Sequence, residues 1–250
     1  MFDVTPLAMF IAAAFVAAGF SKGVLGMGLP TIAMGLLGII MPPATAATLL
    51  VIPSFVTNIW QLFAGPRCGV LARRLATMMI GVCIGTALTI GVLTGQSAAF
   101  ASAALGAVLL VYGVVGLAAR RFTVSPSAER WLSPLVGLVT GLITGATGIF
   151  VIPAVPYLNS LGLSKDELIQ ALGLSFTAST VALAAALFLS GGYQVSAVAS
   201  SLLAVPPALF GMYVGQRVRH RLKADVFRRW FFVGLMMLGA YMVLRVLVTR

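Results

Sequence analysis

The chain has 250 residues, of which 60% are hydrophobic and only 8% are charged, and its mean hydropathy is +1.09. Such a composition leaves too little polar surface for a water-soluble domain, so we predict an all-α polytopic protein embedded in a lipid bilayer. The formal net charge of +11 would suggest a nucleic-acid partner in a soluble protein. Here the cations cluster in short loops between apolar segments, which predicts a role in membrane orientation and no nucleic-acid binding.

Glycines interrupt the first apolar segment. Apolar runs at 7–18 and 29–40 flank the sequence Gly19-Phe-Ser-Lys-Gly-Val-Leu-Gly-Met-Gly28, and Lys22 is the only charged residue between Asp3 and Arg67. A cation at membrane depth is costly and by default marks a substrate or ion pathway. The alternative is a lysine that extends from a helix end to the lipid headgroups. The pattern predicts a glycine-broken helical hairpin over 5–40, with Lys22 near its tip.

The remaining segments predict two pseudo-symmetric halves within one integral membrane domain. Gly145-x-x-Gly148 follows Gly23-x-x-Gly26 by 122 residues, and a proline-bearing apolar run follows each pair. Repeats of this kind are common in transporters, which bind their substrate near the bilayer midplane where the repeats meet. The first half, 1–122, is predicted to contain the hairpin 5–40 and helices at about 43–65, 75–94 and 98–119. The second half, 123–250, is predicted to contain a hairpin at 131–160 and helices at about 166–190, 195–216 and 229–248.

Loop charges discriminate between parallel and inverted halves. If each broken segment crosses the membrane once, the two sides carry eight and seven cations, which is no bias. If each is a hairpin, thirteen cations share one side, and only Arg245 and Arg250 lie opposite. Lysine and arginine in short loops belong on the cytoplasmic side, so this count favours inverted repeats with both termini extracytoplasmic. The thirteen are Arg67, Arg73, Arg74, Arg120, Arg121, Arg130, Lys165, Arg217, Arg219, Arg221, Lys223, Arg228 and Arg229.

The two glycine-rich breaks and their polar neighbours form the predicted anion site. The N-terminus of a half-helix offers free N–H groups and partial positive charge, and glycine allows close backbone approach. For the glycines the alternative is helix packing, and for the polar side chains it is interhelical hydrogen bonding. The predicted substrate-binding residues are Ser21, Lys22, Gly23, Gly26, Gly28, Thr57, Asn58, Thr144, Gly145, Thr147, Gly148, Ser175 and Thr177.

Acidic residues and histidine are missing from every apolar segment. A carboxylate-based proton relay or sodium site is therefore not expected, whereas uniport export of an anion needs no coupling residue. The membrane potential would supply about 2.3 kcal/mol per charge per 100 mV. Cys68 and Cys83 suggest neither a disulfide framework nor a metal site. We expect no metal, no cofactor and no catalytic residues, and hence no enzyme.

Three motifs resemble the TauE/SafE sulfite exporter family, over essentially the whole chain. They are the Ser21-Lys-Gly-x-x-Gly-x-Gly break, the Pro53-x-x-x-Thr57-Asn58 helix, and Gly141-x-x-x-Gly145-x-x-Gly148 with Ser175-Phe-Thr. The resemblance implies a multi-pass transporter of the bacterial inner membrane that exports a small sulfur-containing oxyanion such as sulfite, a sulfonate or sulfoacetate. A homodimer is a further expected partner arrangement. An anion channel and a non-transporting membrane subunit of a larger complex are the alternatives.

Overall fold

The computed structural model describes residues 4–95, 97–118, 123–192 and 196–248, and within these ranges it contains α-helices and no strands. Of the loop cations counted above, Arg120, Arg121 and Arg250 lie outside the described residues. The twelve helices of the described ranges are α1 (Val4–Leu25), α2 (Leu29–Ile40), α3 (Pro43–Leu62), α4 (Cys68–Arg74), α5 (Ala76–Thr94), α6 (Ala98–Ala118), α7 (Pro126–Thr147), α8 (Ala154–Ser160), α9 (Lys165–Leu189), α10 (Ser196–Leu203), α11 (Val205–Val218) and α12 (Ala224–Val248).

Seven helical stretches of the described residues are long and apolar enough to cross a membrane. They lie in α1, α3, α5, α6, α9 and α12, and in the continuous stretch Val198–Val218 formed by α10 and α11. α2 is a shorter apolar helix of 12 residues. The predicted class, an all-α polytopic membrane protein, is therefore confirmed.

Several helix bounds differ from those predicted. α7 begins at Pro126 instead of 131 because the Ser125 side chain accepts a hydrogen bond from Ala128 N, and proline suits the first helical position. α12 begins at Ala224 instead of 229. α4 is an additional short helix in a segment predicted as a loop. The predicted segment 131–160 contains two helices, α7 and the much shorter α8, separated by a non-helical stretch at 148–153.

Glycine lets two pairs of helices approach at backbone distance. A Cβ built at Gly23 of α1 would lie 2.3 Å from Met212 O of α11, and one built at Gly145 of α7 would lie 3.0 Å from Ile90 N of α5. Gly23 and Gly145 are 122 residues apart, and so are Ile90 and Met212. Small residues at such crossings permit the close packing that drives helix association in membranes. The two helix pairs are therefore built alike.

Alanine at Gly85 should destabilise the protein, whereas alanine at Gly91 on the same helix should not. A Cβ at Gly85 would lie 2.3 Å from Leu138 O of α7, while a Cβ at Gly91 would meet nothing within 4 Å. Overpacking of a close interface typically costs about 1–3 kcal/mol. We expect Gly85→Ala to lower the unfolding temperature in detergent and Gly91→Ala to leave it unchanged. Equal unfolding temperatures for the two variants would contradict the close packing of α5 on α7.

The directions of the helices follow from their contacts. Asn58 of α3 donates to Thr180 of α9, and Gly173 of α9 lies against Leu62 of α3, so these two helices run antiparallel. α6 and α12 are also antiparallel, because Gly106 lies against Gly239 and Gly113 lies against Met236.

Two other helix pairs run parallel, because residue numbers increase together along both helices. α1 is parallel to α11, since Gly19 lies against Ala208 and Gly23 lies against Met212. α5 is parallel to α7, since Gly81 lies against Pro134 and Gly85 lies against Leu138.

Two ion pairs hold the loops together at one end of the helices. Arg67 lies 2.7 Å from Glu167. Arg74 donates to both carboxylate oxygens of Glu129 at 2.6 and 2.8 Å, and this hydrogen bonding raises the pKa of the Arg74 guanidinium. Arg245 lies in the last turn of α12, at the opposite end from the basic residues of its first turns. Its guanidinium donates to Ile39 O at the end of α2.

Candidate functional site

Lys22 lies in the last turn of α1 and is only 3% exposed. Its ammonium donates hydrogen bonds to Thr57 Oγ1 at 3.1 Å and to Asn58 Oδ1, both on α3. The ring of Phe176, on α9, has its centroid 5.9 Å from Nζ. Among the described residues, no carboxylate lies within ion-pair distance of Lys22. The Lys22 side chain is therefore enclosed by neutral groups.

Pro53 leaves a gap in the hydrogen bonding of α3, and a side chain from another helix fills it. Proline has no N–H, so the carbonyl four residues earlier, Leu49 O, lacks its intrahelical donor. Ser201 Oγ of α10 donates to Leu49 O at 2.9 Å. One turn further on, Thr57 Oγ1 donates to Pro53 O at 2.8 Å. Its lone pairs are thereby left to accept the hydrogen bond from Lys22.

Thr180 sets the orientation of the Asn58 amide. Asn58 Nδ2 donates to Thr180 Oγ1 at 3.1 Å, and Thr180 Oγ1 in turn donates to Phe176 O at 2.7 Å. The amide oxygen of Asn58 must then face Lys22. Asn58 and Thr180 are 122 residues apart, the same spacing as the sequence repeat. Thr180 was not among the predicted site residues, although this spacing could have identified it.

The first tip, residues 26–28, is built by two glycines in the left-handed region. Gly26 has φ 77° and Gly28 has φ 108°, conformations that side-chain-bearing residues rarely adopt. Gln61 Nε2 of α3 donates to Gly26 O at 2.9 Å, and Thr31 Oγ1 donates to Gly28 O at 2.9 Å. The carbonyls of both tip glycines therefore accept hydrogen bonds from side chains, and Gln61, one turn beyond Asn58, connects α3 to the tip. Gln61 is a second site residue that was not predicted.

The second tip, residues 148–150, uses threonine hydroxyls for its own backbone. Thr144 Oγ1 donates to Thr140 O at 2.7 Å and lies 3.4 Å from Ile149 O. Ile149 N donates to Thr147 Oγ1 at 3.3 Å. Gly148 has φ 73° and lies close to Met34 of α2. Thr144 and Thr147 thus stabilise the break itself.

One aromatic contact connects the second tip to Lys22. Phe150 packs against Phe176 with ring centroids 5.5 Å apart, and Phe176 is the ring beside Lys22. Phe176, like Thr180, was not among the predicted site residues. Of the predicted residues, Lys22, Thr57 and Asn58 are hydrogen-bonded together. Gly23 and Gly145 lie at helix-packing contacts, the alternative weighed for such glycines.

Buried polar atoms without a hydrogen-bond partner cluster on the same helices. Buried polar groups are normally paired, so unpaired ones need an explanation. Ser21 lies next to Lys22 on α1, Ser54 lies one turn before Asn58 on α3, and Ser175 adjoins Phe176 on α9. The set found within the described residues is Ser21 Oγ, Ser54 Oγ, Gln61 Oε1, Thr140 Oγ1 and Ser175 Oγ. Four of the five lie on α1, α3 or α9, the helices that surround Lys22.

If the chain transports an anion, as the resemblance implies, Thr180→Val should reduce the transport rate, whereas Thr177→Val should not. Both threonines are on α9, and both donate to the carbonyl four residues earlier, at 2.7 Å. Of the two, only Thr180 accepts a hydrogen bond from the Asn58 amide. Only the Thr180 substitution therefore frees that amide to rotate away from Lys22. We expect a rate about tenfold lower for Thr180→Val, because losing a buried hydrogen-bond partner costs about 1–3 kcal/mol. Equal rates for the two valine variants would contradict this role of Thr180.

A large groove among the described residues does not contain Lys22. It has a volume of about 1140 Å³ and lies between α1, α2, α11 and α12, with mainly apolar walls that include Phe20, Phe231 and Leu235. Ser21 is one of its few polar neighbours. Apolar walls of this kind suit lipid better than an anion. The described part of the chain contains no group of three His, Cys, Asp or Glu side chains that could hold a metal ion.

A family model described as Sulfite exporter TauE/SafE matches residues 11–242. The matched range begins in α1, ends in α12, and includes both glycine-rich tips, Lys22, and its partners Thr57, Asn58 and Phe176. Comparison with curated proteins and with solved structures found no significant match.

Proposed function

Because the chain belongs to the TauE/SafE sulfite exporter family, we propose that it exports a small sulfur-containing oxyanion, such as sulfite or a sulfonate, across the bacterial inner membrane. The family supports a membrane anion exporter in general terms. One observation about Lys22 supports a specific binding site for the anion. The Lys22 ammonium is buried and has only neutral hydrogen-bond partners, Thr57 and Asn58. A buried cation without a protein counter-charge is a binding site for an anion.

The oxyanion binds in this proposal to the donor of Lys22 that the protein leaves unused. An ammonium has three N–H donors, and Thr57 and Asn58 accept two of them. Charge-assisted hydrogen bonds are about twice as strong as neutral ones, so the third donor anchors the cargo. Ser175, next in sequence to the Phe176 ring beside Lys22, also has a buried unpaired hydroxyl, whereas Ser21 lines the apolar groove instead.

We propose that the two halves are inverted repeats. Equivalent helices would run parallel if the symmetry axis stood along the membrane normal, and antiparallel if it lay in the membrane plane. The pairs separated by the repeat spacing, α3 with α9 and α6 with α12, are antiparallel. The Asn58–Thr180 hydrogen bond joins equivalent positions of the two halves, so the pseudo-two-fold axis passes beside Lys22. Binding sites of inverted-repeat transporters are typically located there.

A hairpin at 5–40 places Lys22 near mid-membrane in this proposal. α1 is parallel to α11, and α2 is parallel to α12, since Gly28, Gly35 and Gly38 lie in turn against Phe231, Leu238 and Met242. α11 and α12 contain successive membrane spans joined by a short loop, so α1 and α2 must also point in opposite directions. The 12 residues of α2 are about 18 Å long, a little over half of a hydrocarbon core of about 30 Å.

Alternating access fits the burial of Lys22 better than an open pore does. A channel site would be exposed to an aqueous path, whereas Lys22 is 3% exposed and lies outside the large groove. Access from either side therefore requires movement, and the hairpin α1–α2 is the element that carries Lys22. Gln61 and Asn58 connect this hairpin to α3, so movement of the hairpin must break or shift these hydrogen bonds.

Transport by the purified protein in liposomes tests this proposal. We expect saturable efflux of sulfite and of methanesulfonate, with protein-free liposomes as the control. Currents that increase linearly with voltage and do not saturate with anion concentration would support a channel instead. Liposomes that contain folded protein but release neither anion would support a non-transporting subunit.

A further inference from the structure

Lys22 is the single charged side chain at the proposed site. The apolar segments 4–66, 75–119, 131–164, 168–216 and 230–244 contain no other charged residue. At the position that matches Lys22 in the second half, 122 residues later, stands the neutral Thr144. Its hydroxyl donates to Thr140 O within its own helix. The symmetry of the fold therefore provides two equivalent positions but only one positive charge.

No second cation is placed to reinforce Lys22 among the described residues. On α3, which provides both hydrogen-bond acceptors, the next basic residue is Arg67, beyond the end of the helix. Arg67 is paired with Glu167 in the loops. At the first tip, the hydroxyl of Tyr112 of α6 lies 3.3 Å from Met27 Sδ, and this group adds no positive charge. The remaining partners of the site are hydroxyls, amides and the Phe176 ring.

The single positive charge at the proposed site limits the number of negative charges that the cargo can carry. An uncompensated charge in a low-dielectric interior is strongly disfavoured, and neutral hydrogen bonds offset only part of its cost. A singly charged oxyanion forms a neutral pair with Lys22. A doubly charged oxyanion leaves one negative charge without a partner.

We propose that the site is selective for singly charged oxyanions and rejects doubly charged oxyanions of the same size. This inference rests on the proposed function and specifies its substrate class. A sulfonate R–SO₃⁻ and hydrogensulfite belong to the accepted class. Sulfate and other dianions belong to the rejected class, and so does sulfoacetate, one of the cargoes that the resemblance implies, because its carboxylate adds a second negative charge.

Methanesulfonate and sulfate form a matched pair for the test, because methanesulfonate has a methyl group where sulfate has a charged oxygen. We expect proteoliposomes to transport methanesulfonate at least tenfold faster than sulfate, a difference of about 1.4 kcal/mol. Sulfate transported as fast as methanesulfonate would overturn the charge selectivity and leave the transport function intact. Transport of neither anion would overturn the proposed function, and this inference with it.

Thermal unfolding in detergent provides a second readout that does not need transport. A ligand that binds only the folded state raises the unfolding temperature as its concentration increases. Methanesulfonate should raise the unfolding temperature of the wild type more than that of Lys22→Met, whereas sulfate, which stabilises folded proteins non-specifically, should raise both equally. A sulfate effect that depends on Lys22 as strongly as the methanesulfonate effect would contradict the inference even if the transport rates differed.

Discussion

Lys22→Met should reduce oxyanion efflux by about 100-fold or more, without loss of folded protein. Methionine has a similar length but no charge, so the anion loses its only counter-charge. A 100-fold difference in rate corresponds to about 2.8 kcal/mol. The same change removes the cost of burying an ammonium that has no carboxylate partner. The unfolding temperature in the absence of anion should therefore stay the same or increase. Efflux from proteoliposomes and thermal unfolding in detergent measure the two effects.

Lys165→Met is the matched control for this substitution. Lys165 is exposed at the first position of α9, outside the proposed site, so efflux should remain at the wild-type rate. The Lys22 variant would contradict the proposal if it retained efflux within about twofold of wild type. A large loss of stability in Lys22→Met would instead assign Lys22 a structural role.

Asn58→Asp should also abolish efflux, although it hardly changes the shape of the side chain. The new carboxylate would lie within hydrogen-bond distance of the Lys22 ammonium, where the amide oxygen is now. An internal ion pair would neutralise the cation, and the carboxylate would repel an incoming oxyanion. We expect a loss of efflux comparable to that of Lys22→Met, with an unfolding temperature no lower than that of the wild type. Efflux and unfolding measured on the same preparation separate inactivation from misfolding.

The other asparagine of the chain provides the control. Asn159 is exposed on α8 and donates to Val155 O at 2.7 Å, within its own helix. Asn159→Asp adds the same negative charge at an exposed position outside the proposed site, so efflux should change by less than about twofold. Wild-type efflux in Asn58→Asp would show that the anion does not bind beside Lys22.

The fold class could be predicted because it depends on local properties of the sequence. Apolar segments of about 20 residues between charged loops specify membrane helices almost without reference to tertiary structure. The ends of α2 at Ile40 and of α5 at Thr94 are the predicted ones. The early start of α7 depends on the Ser125 cap, a signal in the sequence that charge and hydropathy do not report.

Residues of the candidate site could be predicted only where the signal in the sequence is also local. Lys22 is identified by its charge in an apolar run, and Thr57 and Asn58 by the polar stripe of α3. The choice between Thr177 and Thr180 depends on how α9 is rotated against α3, which no local pattern specifies. Only Thr180 contacts Asn58. Gly23 and Gly145 illustrate a second limit, because an anion cradle and a close helix crossing both require a residue without a Cβ.

The central claim is that the cargo anion is the counter-ion of Lys22. Titration of sulfite into purified protein, followed by calorimetry, tests this claim without the need for transport. The account predicts saturable binding to the wild type and to Lys165→Met, and no measurable binding to Lys22→Met. Equal affinity of the wild type and Lys22→Met for sulfite would contradict it.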